Sequence, residues 1–262
     1  MAQALDPSLR RALAELAQTE PLLVALDFDG TLAPEVDDPE QARALPEARA
    51  AVLRLLDLPQ TRVALVSGRA LASLEQVSGL PDTALLVGSH GIELRLDSPE
   101  VRLALDPAEL ARRGELGTLL DEVAASADRV WLESKPAGFA LHTRLATDDD
   151  GRRAHLVALQ RTEAELPGLT VRRGKNVLEF SVRSTTKGEA IEHLRRYTGA
   201  SAVLYAGDDV TDEDAFAALG PGDLGLKSGP GETVAPYRVA DPAAVAAALD
   251  ELARLREAHL SA

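Results

Sequence analysis

One pattern constrains this chain more than any other. A short apolar run ends on an acid, a serine or a glycine, and an amphipathic helical stretch follows. Leu22–Asp27 is the first case. An unbroken apolar run with polar groups at its end is how a strand buried on both faces of a parallel sheet reads, when its carboxyl end delivers functional groups. Val63–Ser67 followed by Gly68, Ala84–Val87 leading into Gly88, and Ala202–Ala206 followed by Gly207 and Asp208 repeat the run, and Asp223–Lys227 reads as a short strand. Helical periodicity covers 8–18, with Leu9, Leu13 and Leu16 on one face, then Pro46–Leu56, Leu71–Val77, Ala190–Tyr197, Asp212–Leu219 and Pro242–Arg256. Strand and helix in alternation predict an α/β domain, a parallel sheet covered on both faces.

The middle of the chain has another style. Val101–Leu105, Val130–Ser134, Phe139–Arg144, Leu169–Arg173 and Val177–Val182 alternate apolar and polar residues. Helical stretches near 114–126 and 151–165 interrupt them. Half-buried strands with helices on one side predict a small α+β module. The expected organisation is a discontinuous core, 1–94 and 184–262, with 95–183 inserted as a second domain.

Composition narrows the function classes. The chain has 42 acidic against 28 basic residues, a net charge of −14, and no basic patch, so a nucleic-acid partner is not expected. Aromatic residues make up 3%, too few for a base-stacking platform, and the cores must rest on Leu, Val and Ala. Cysteine is absent, which excludes disulfides, zinc–thiolate sites and thiol nucleophiles. Met1–Arg11 lacks an apolar signal core, and no apolar run reaches the roughly 20 residues that span a bilayer. A soluble cytoplasmic protein with no membrane partner is expected, and a monomer is compatible with the sequence. An anionic substrate would need local cations or a metal at its site.

The chemistry gathers where the apolar runs end. Asp27-Phe28-Asp29-Gly30-Thr31 sets two carboxylates two residues apart. That gap suits one as nucleophile and Mg²⁺ ligand, the other as proton donor. Gly30 allows the turn, and Thr31 can bond a phosphate oxygen. Asp-x-Asp-Gly also occurs in turns and calcium loops, but Thr31-Leu32-Ala33-Pro34 supplies few further oxygen ligands. In Gly207-Asp208-Asp209-Val210-Thr211-Asp212, hard carboxylate oxygens suit Mg²⁺. Asp212 reads as the cap of the next helix, which leaves Asp208 and Asp209 for the metal. Ser67-Gly68-Arg69 joins a hydroxyl to the backbone N–H groups that open a helix, a phosphate cradle. Lys187 opens another helix. It can neutralise phosphate charge and restrain Asp27, or it is a solvated surface charge.

Asp-x-Asp, Ser, Lys and Asp-Asp, in that order, resemble the four motifs of the haloacid dehalogenase superfamily. The resemblance implies a Rossmann-like core with an inserted α+β cap, and an Mg²⁺-dependent phosphomonoester hydrolase. It makes Asp27 the nucleophile of an aspartyl-phosphate intermediate and Asp29 the general acid and base. Ser67 and Lys187 would hold the phosphoryl group, with Gly68 and Thr31 beside them. Asp208 would ligate Mg²⁺ with Asp209 in or near the shell, joined by the Asp27 side chain and the Asp29 carbonyl. Burial and the nearness of Asp27 are expected to favour a protonated Asp29. The cap is expected to open and close, with hinges near Leu94–Asp97 and Arg183–Thr185.

Further polar segments stand outside the core motifs. GSHGIE (88–93) follows the third strand, ESK (133–135) and HTR (142–144) place like-facing pairs on successive strands, and GKNVLE (174–179) leads back to the core. Each pair also fits a cross-strand ion pair on a solvent face. Together they resemble the trehalose-6-phosphate phosphatases. That resemblance implies a phosphosugar substrate, with Arg69, His90, Gly91, Glu133, Lys135, His142, Arg144 and Glu179 as its binding set. The chain departs at Thr143, where an aromatic is expected, and at Phe180-Ser181-Val182-Arg183, where Arg-Pro is expected. Other readings are a phosphatase for sucrose 6-phosphate or a mannosyl phosphate, a phosphomutase, a non-catalytic phosphosugar-binding module and a structural metal site. His155, His193 and His259 read as surface residues.

Overall fold

The computed structural model describes residues 5–36, 38–174 and 176–261. In chain order the elements are α1 (Pro7–Leu16), β1 (Leu22–Leu26), α2 (Pro46–Asp57), β2 (Thr61–Val66), α3 (Leu71–Ser78), β3 (Leu85–Gly88), β4 (Glu93–Arg95), β5 (Arg102–Leu103), α4 (Pro107–Ala125), β6 (Trp131–Lys135), β7 (Gly138–His142), α5 (Asp148–Glu165), β8 (Thr170–Gly174), β9 (Val177–Ser181), α6 (Lys187–Thr198), β10 (Ala202–Gly207), α7 (Asp212–Ala217), β11 (Leu224–Ser228), β12 (Tyr237–Val239) and α8 (Pro242–Leu260). The chain divides into two compact units, Met1–Arg102 with Thr185–Ala262, and Leu103–Ser184.

Among the described residues, eight strands form one sheet in the order β12-β11-β10-β1-β2-β3-β4-β5. The run from β12 to β3 is parallel, and β4 pairs antiparallel to β3. Every residue of β1 is buried, as a strand flanked on both faces requires. Leu22, Val24 and Leu26 share a core with Leu9, Leu13 and Leu16 of α1, Val52 and Leu55 of α2, and Leu249 and Leu252 of α8. Helices α6 and α7 also pack against strands of this sheet. Asp6 caps α1, accepting from the Ser8 N–H at 2.8 Å, and Pro7 supplies a preset first turn. Strand order reverses beside β1, with β2 and β3 on one side and β10 to β12 on the other. The crevice at the carboxyl ends of β1 and β10 is where sheets of this type bind ligands.

In the second unit, β6, β7, β9 and β8 form an antiparallel sheet in that order. Its core joins Leu116, Leu119, Leu120 and Val123 of α4 and Ala154 and Ala158 of α5 to Leu141, Leu178 and Phe180 of the sheet. Alternation therefore puts Trp131, Glu133, Lys135, His142, Arg172 and Glu179 on the opposite face.

Several boundaries differ from the sequence reading. Helix α4 begins at Pro107, seven residues before the expected 114, because Asp106 and Glu109 form a capping box ahead of the apolar periodicity. Thr147 caps α5 from Asp148. The expected strand 101–105 shrinks to Arg102–Leu103. Strands β4 and β12 are only three residues long, too short to write a period. No helix among the described residues is long and apolar enough to cross a membrane.

Candidate active site

Asp27 stands one residue beyond β1, its N–H still bonded to the Ala206 carbonyl at 2.9 Å. The ladder thus carries its side chain to the strand-order reversal, where it is 5% exposed. Lys187 is the first residue of α6, whose cap Thr186 accepts from the Glu189 N–H at 3.2 Å. Its ammonium lies 3.0 Å from Asp27 Oδ1 and 2.6 Å from Asp212 Oδ1. Lys187 is 2% exposed, so the solvated-charge reading is overturned.

Asp212 also differs from its expected role. Thr211 holds the cap position of α7, without a side-chain capping bond. The Asp212 carboxylate turns back and is fully buried. It accepts from Lys187, from the Tyr205 hydroxyl, and from the N–H groups of Asp208 at 3.0 Å and Asp209 at 2.9 Å. A helix-opening aspartate can satisfy the loop before it as well as the helix after it, and here the loop wins.

The electrostatics follow from burial. Desolvation pushes the Asp27 carboxyl up to about 8; Lys187 opposes the rise and Asp212 adds to it. Asp208 is pushed up to about 6, again by burial first and Asp212 next. Burial works against the Lys187 charge, but Asp27 and Asp212 outweigh it and raise the ammonium. Burial and then Asp212 hold Tyr205 well above its usual range, so it stays a donor.

Carboxylate oxygens of Asp27, Asp208 and Asp212 all lie within 4.8 Å of one another. Asp212 takes four donors, whereas Asp27, bonded to Lys187, and Asp208, bonded to Thr31, keep lone pairs for a further partner. Two desolvated carboxylates with hard oxygens and too little positive charge fit a small divalent cation. Gly30 makes the approach possible. Its φ is 71°, and a Cβ there would stand 2.0 Å from Asp208 Oδ2. The buried Thr31 hydroxyl donates to Asp208 Oδ1 at 3.2 Å. Asp209, expected at the metal, is outside this carboxylate group; it is exposed, and its Oδ1 accepts from the Val210 N–H at 2.6 Å.

Sequence reasoning passed over Lys227 and Ser228 at the end of β11. The Lys227 ammonium, 3% exposed, donates to the Asp208 carbonyl, and the Ser228 hydroxyl donates to the Gly30 carbonyl at 2.8 Å. The signal was present: two polar residues closing an apolar run, as in the other strands.

Asp29 is not buried as expected. Its side chain is 36% exposed, and both oxygens accept from Arg69, Oδ2 from Nε at 2.6 Å and Oδ1 from Nη2 at 2.7 Å. Ser67, buried at the end of β2, accepts the Arg69 N–H at 3.2 Å and gives its carbonyl to the His90 N–H at 3.0 Å. The His90 ring occupies the space that Gly68 leaves, since a Cβ there would lie 2.6 Å from it. Ser89 and His90 both take positive φ, 50° and 56°, a sparsely populated region for such residues. Glu93 braces that turn, accepting from Ser89 Oγ at 2.7 Å and the Leu71 N–H at 3.0 Å. Gly91 lies against Ala190 and Thr185. Ser67, Gly68, Arg69, His90 and Gly91 are thus neighbours in the first unit.

In the second unit Glu133 is held at both oxygens, by Lys135 Nζ at 2.6 Å and by His142 Nε2 at 2.8 Å. Lys135 first, then His142, hold its carboxyl below the usual range. Arg144 lies over the Trp131 ring, 5.3 Å from its centroid. Glu179 sits between Ala140 and Arg172 in register, on the face of Glu133. Lys175 of the GKNVLE segment lies outside the described residues. His155 and His193, read as surface residues, are half-buried; burial holds both imidazoles low.

Comparison with known proteins fits this geometry. Residues 25–246 match the trehalose-phosphatase family. A trehalose-phosphate phosphatase of Mycobacterium marinum is 35% identical over 235 residues, covering 85% of this chain and 59% of the relative. A bifunctional trehalose-6-phosphate synthase/phosphatase of Thermoproteus tenax is 30% identical, covering 94% of this chain and 34% of its own length. The chain thus spans about three-fifths or less of these two curated relatives. A solved Aspergillus fumigatus trehalose-6-phosphate phosphatase superposes with a TM-score of 0.70 at 25% identity, over 97% of this chain and 99% of that one. A haloacid dehalogenase-like hydrolase from Bacteroides thetaiotaomicron, 18% identical, agrees in fold, with a TM-score of 0.63 over 88% of this chain and 98% of that one.

Proposed function

The chain belongs to the trehalose-phosphatase family, and from that premise we propose that it hydrolyses trehalose 6-phosphate to trehalose and phosphate, the last step of trehalose biosynthesis. The observation that carries the reading is the buried Asp27 carboxylate 3.0 Å from Lys187 at the strand-order reversal. A carboxylate so desolvated and so restrained is a nucleophile aimed in one direction.

In this reading Asp27 attacks phosphorus, and the bond to the sugar oxygen breaks. Asp29 enters this step protonated, with one of its two Arg69 bonds released, and gives that proton to the sugar oxygen; then, as a carboxylate, it takes one from the water that cleaves the aspartyl-phosphate. The second attack releases phosphate and restores Asp27. Lys187, Ser67, Thr31 and the N–H groups at Gly68 hold the phosphoryl oxygens. Arg69 orients Asp29 through its two bonds. Mg²⁺, held by Asp27, Asp208 and the Asp29 carbonyl, would cancel repulsion between the phosphate dianion and the attacking carboxylate. The 1–94 and 184–262 segments carry this chemistry, and the inserted segment reads the sugar with Glu133, Lys135, His142, Arg144 and Glu179.

The test is phosphate release from trehalose 6-phosphate beside glucose 6-phosphate and sucrose 6-phosphate, with and without EDTA. Release from trehalose 6-phosphate alone is expected, lost with EDTA and restored by Mg²⁺. Faster release from another sugar phosphate overturns the substrate. No release from folded protein overturns the reaction.

A further inference from the structure

We propose that Trp131 is a positioning residue for sugar recognition, which fixes the His142 ring and through it the Glu133 carboxylate; this rests on the sugar-phosphatase reading above. Trp131 is the chain's one tryptophan, in a sequence only 3% aromatic. Phe180 goes to the helix-covered face of the second sheet and Phe139 packs against that core. Trp131 does not. It opens β6 on the opposite face, directly across from His142 in register.

The two rings are nearly parallel, 7° apart in plane and 4.8 Å between centroids. Arg144 lies over the same indole at 5.3 Å. His142 Nε2 then meets Glu133 Oε2 at 2.8 Å, while Lys135 holds Oε1 at 2.6 Å. Arg144, Trp131, His142, Glu133 and Lys135 therefore form one continuous chain of contacts along one face.

The physical argument concerns what holds Glu133 still. Its side chain is 45% exposed, and exposed ion pairs contribute little because long side chains lose entropy to form them. A flat stack is different. Indole and imidazole have two torsions each and lock one another over a broad contact. Without the indole, His142 turns about its own torsions and Glu133 keeps only the flexible Lys135. A carboxylate that grips sugar hydroxyls must be held to a fraction of an ångström, so loosening it weakens substrate binding.

The test uses W131L and W131F in the full chain. W131L should raise KM for trehalose 6-phosphate by roughly three- to tenfold, the worth of an aromatic pair, with little change in kcat. W131F keeps a ring and should recover most of the loss. A cycle with His142→Ala decides the route: W131L should cost little more once His142 is gone. Additive losses, or an unchanged KM in W131L, overturn the proposal. The ¹⁵N shift of His142 Nε2 gives a readout that needs no substrate. It should report a carboxylate-bonded nitrogen in wild type and W131F and a solvated one in W131L. A carboxylate-bonded signal persisting in W131L overturns the proposal. A wild type inactive on trehalose 6-phosphate would sink the functional reading instead, and the nitrogen shift would still decide what Trp131 does.

Discussion

Two clusters of acids and lysines among the described residues are built on opposite terms. In the first unit Asp27 and Lys187 are nearly inaccessible, and Asp212 is fully buried. In the second, Glu133 and Lys135 are 45% and 42% exposed. The same pairing of carboxylate and ammonium gives opposite shifts. Burial drives Asp27 up to about 8 against the pull of Lys187, whereas Lys135 and His142 hold Glu133 down. Desolvation dominates where water is excluded, and neighbours dominate where it is not. The buried cluster is therefore left short of positive charge, which suits a site that must take up a cation and a phosphate. The exposed cluster is already satisfied in charge, which suits a site that keeps its own contacts and adds neutral hydroxyls at the lone pairs still open to solvent.

The contrast breaks first at Asp27. Asp27→Asn keeps shape and hydrogen bonding but removes the nucleophile. Turnover should fall by at least roughly a thousandfold, read as phosphate release, with the circular dichroism spectrum unchanged. Retained turnover would place the nucleophile elsewhere. Lys187→Met comes next. It leaves Asp27 and Asp212 buried without their shared cation, and unfolding in urea should show a loss of about 3–5 kcal/mol. A loss under about 1 kcal/mol would mean that Lys187 is not the buried counter-charge the geometry makes it.

These two clusters also differ in how far the sequence exposes them. Strands buried on both faces write continuous apolar runs, so the polar residues that end them stand out, as Asp27, Ser67 and Asp208 do. Lys187 was legible only as one of a set, because a single helix-opening lysine looks like any surface lysine. Asp212 was misread because a local signal, the cap, competes with a long-range one, Lys187 twenty-five residues earlier. Lys227 closes an apolar run as the other site residues do, but its partners, the carbonyls of a distant loop, are not written beside it. In the second unit the pattern of alternation gave Glu133 and Lys135 one face of their strand and His142 and Arg144 one face of the next; only the register across the ladder joins Glu133, Lys135 and His142 on a single face. Alternation did not reveal the ring stack, since nothing in one strand tells which aromatic lies across the ladder. The first turns of α4 were illegible in apolar period because its buried face starts only at Leu116, while a capping box of Asp106 and Glu109 opens the helix at Pro107.

Glu133→Ala sharpens the comparison from the other side. It removes the carboxylate at the centre of the exposed cluster and leaves the residues of the buried one unaltered. Its kcat/KM on trehalose 6-phosphate should fall on the order of tenfold to a hundredfold, the usual cost of losing polar contacts to a bound hydroxyl. Loss on a small aryl phosphate should be much smaller. Equal losses on both substrates would show that Glu133 acts on the phosphate chemistry or on the fold, not on the sugar.

Lys135→Met is the smallest effect and the direct counterpart of Lys187→Met. Both remove an ammonium bonded to a carboxylate, at 2.6 Å in this case. Here water replaces the lost partner, so the change in unfolding free energy should be about 1 kcal/mol or less, against several for Lys187. The sign of its pH dependence follows from Glu133. Lys135 and His142 lower the folded-state carboxyl below its ordinary value of 4.5, so the stability they contribute is present above that pH. It is lost as pH falls through the lowered value, where Glu133 takes up a proton in the folded state as well. Wild type and Lys135→Met should therefore differ slightly in melting temperature at neutral pH and converge in acid. A gap that widens on acidification would mean that Lys135 serves some other carboxylate, and a gap as large as that of Lys187→Met would mean that this face is far less wet than its exposure indicates.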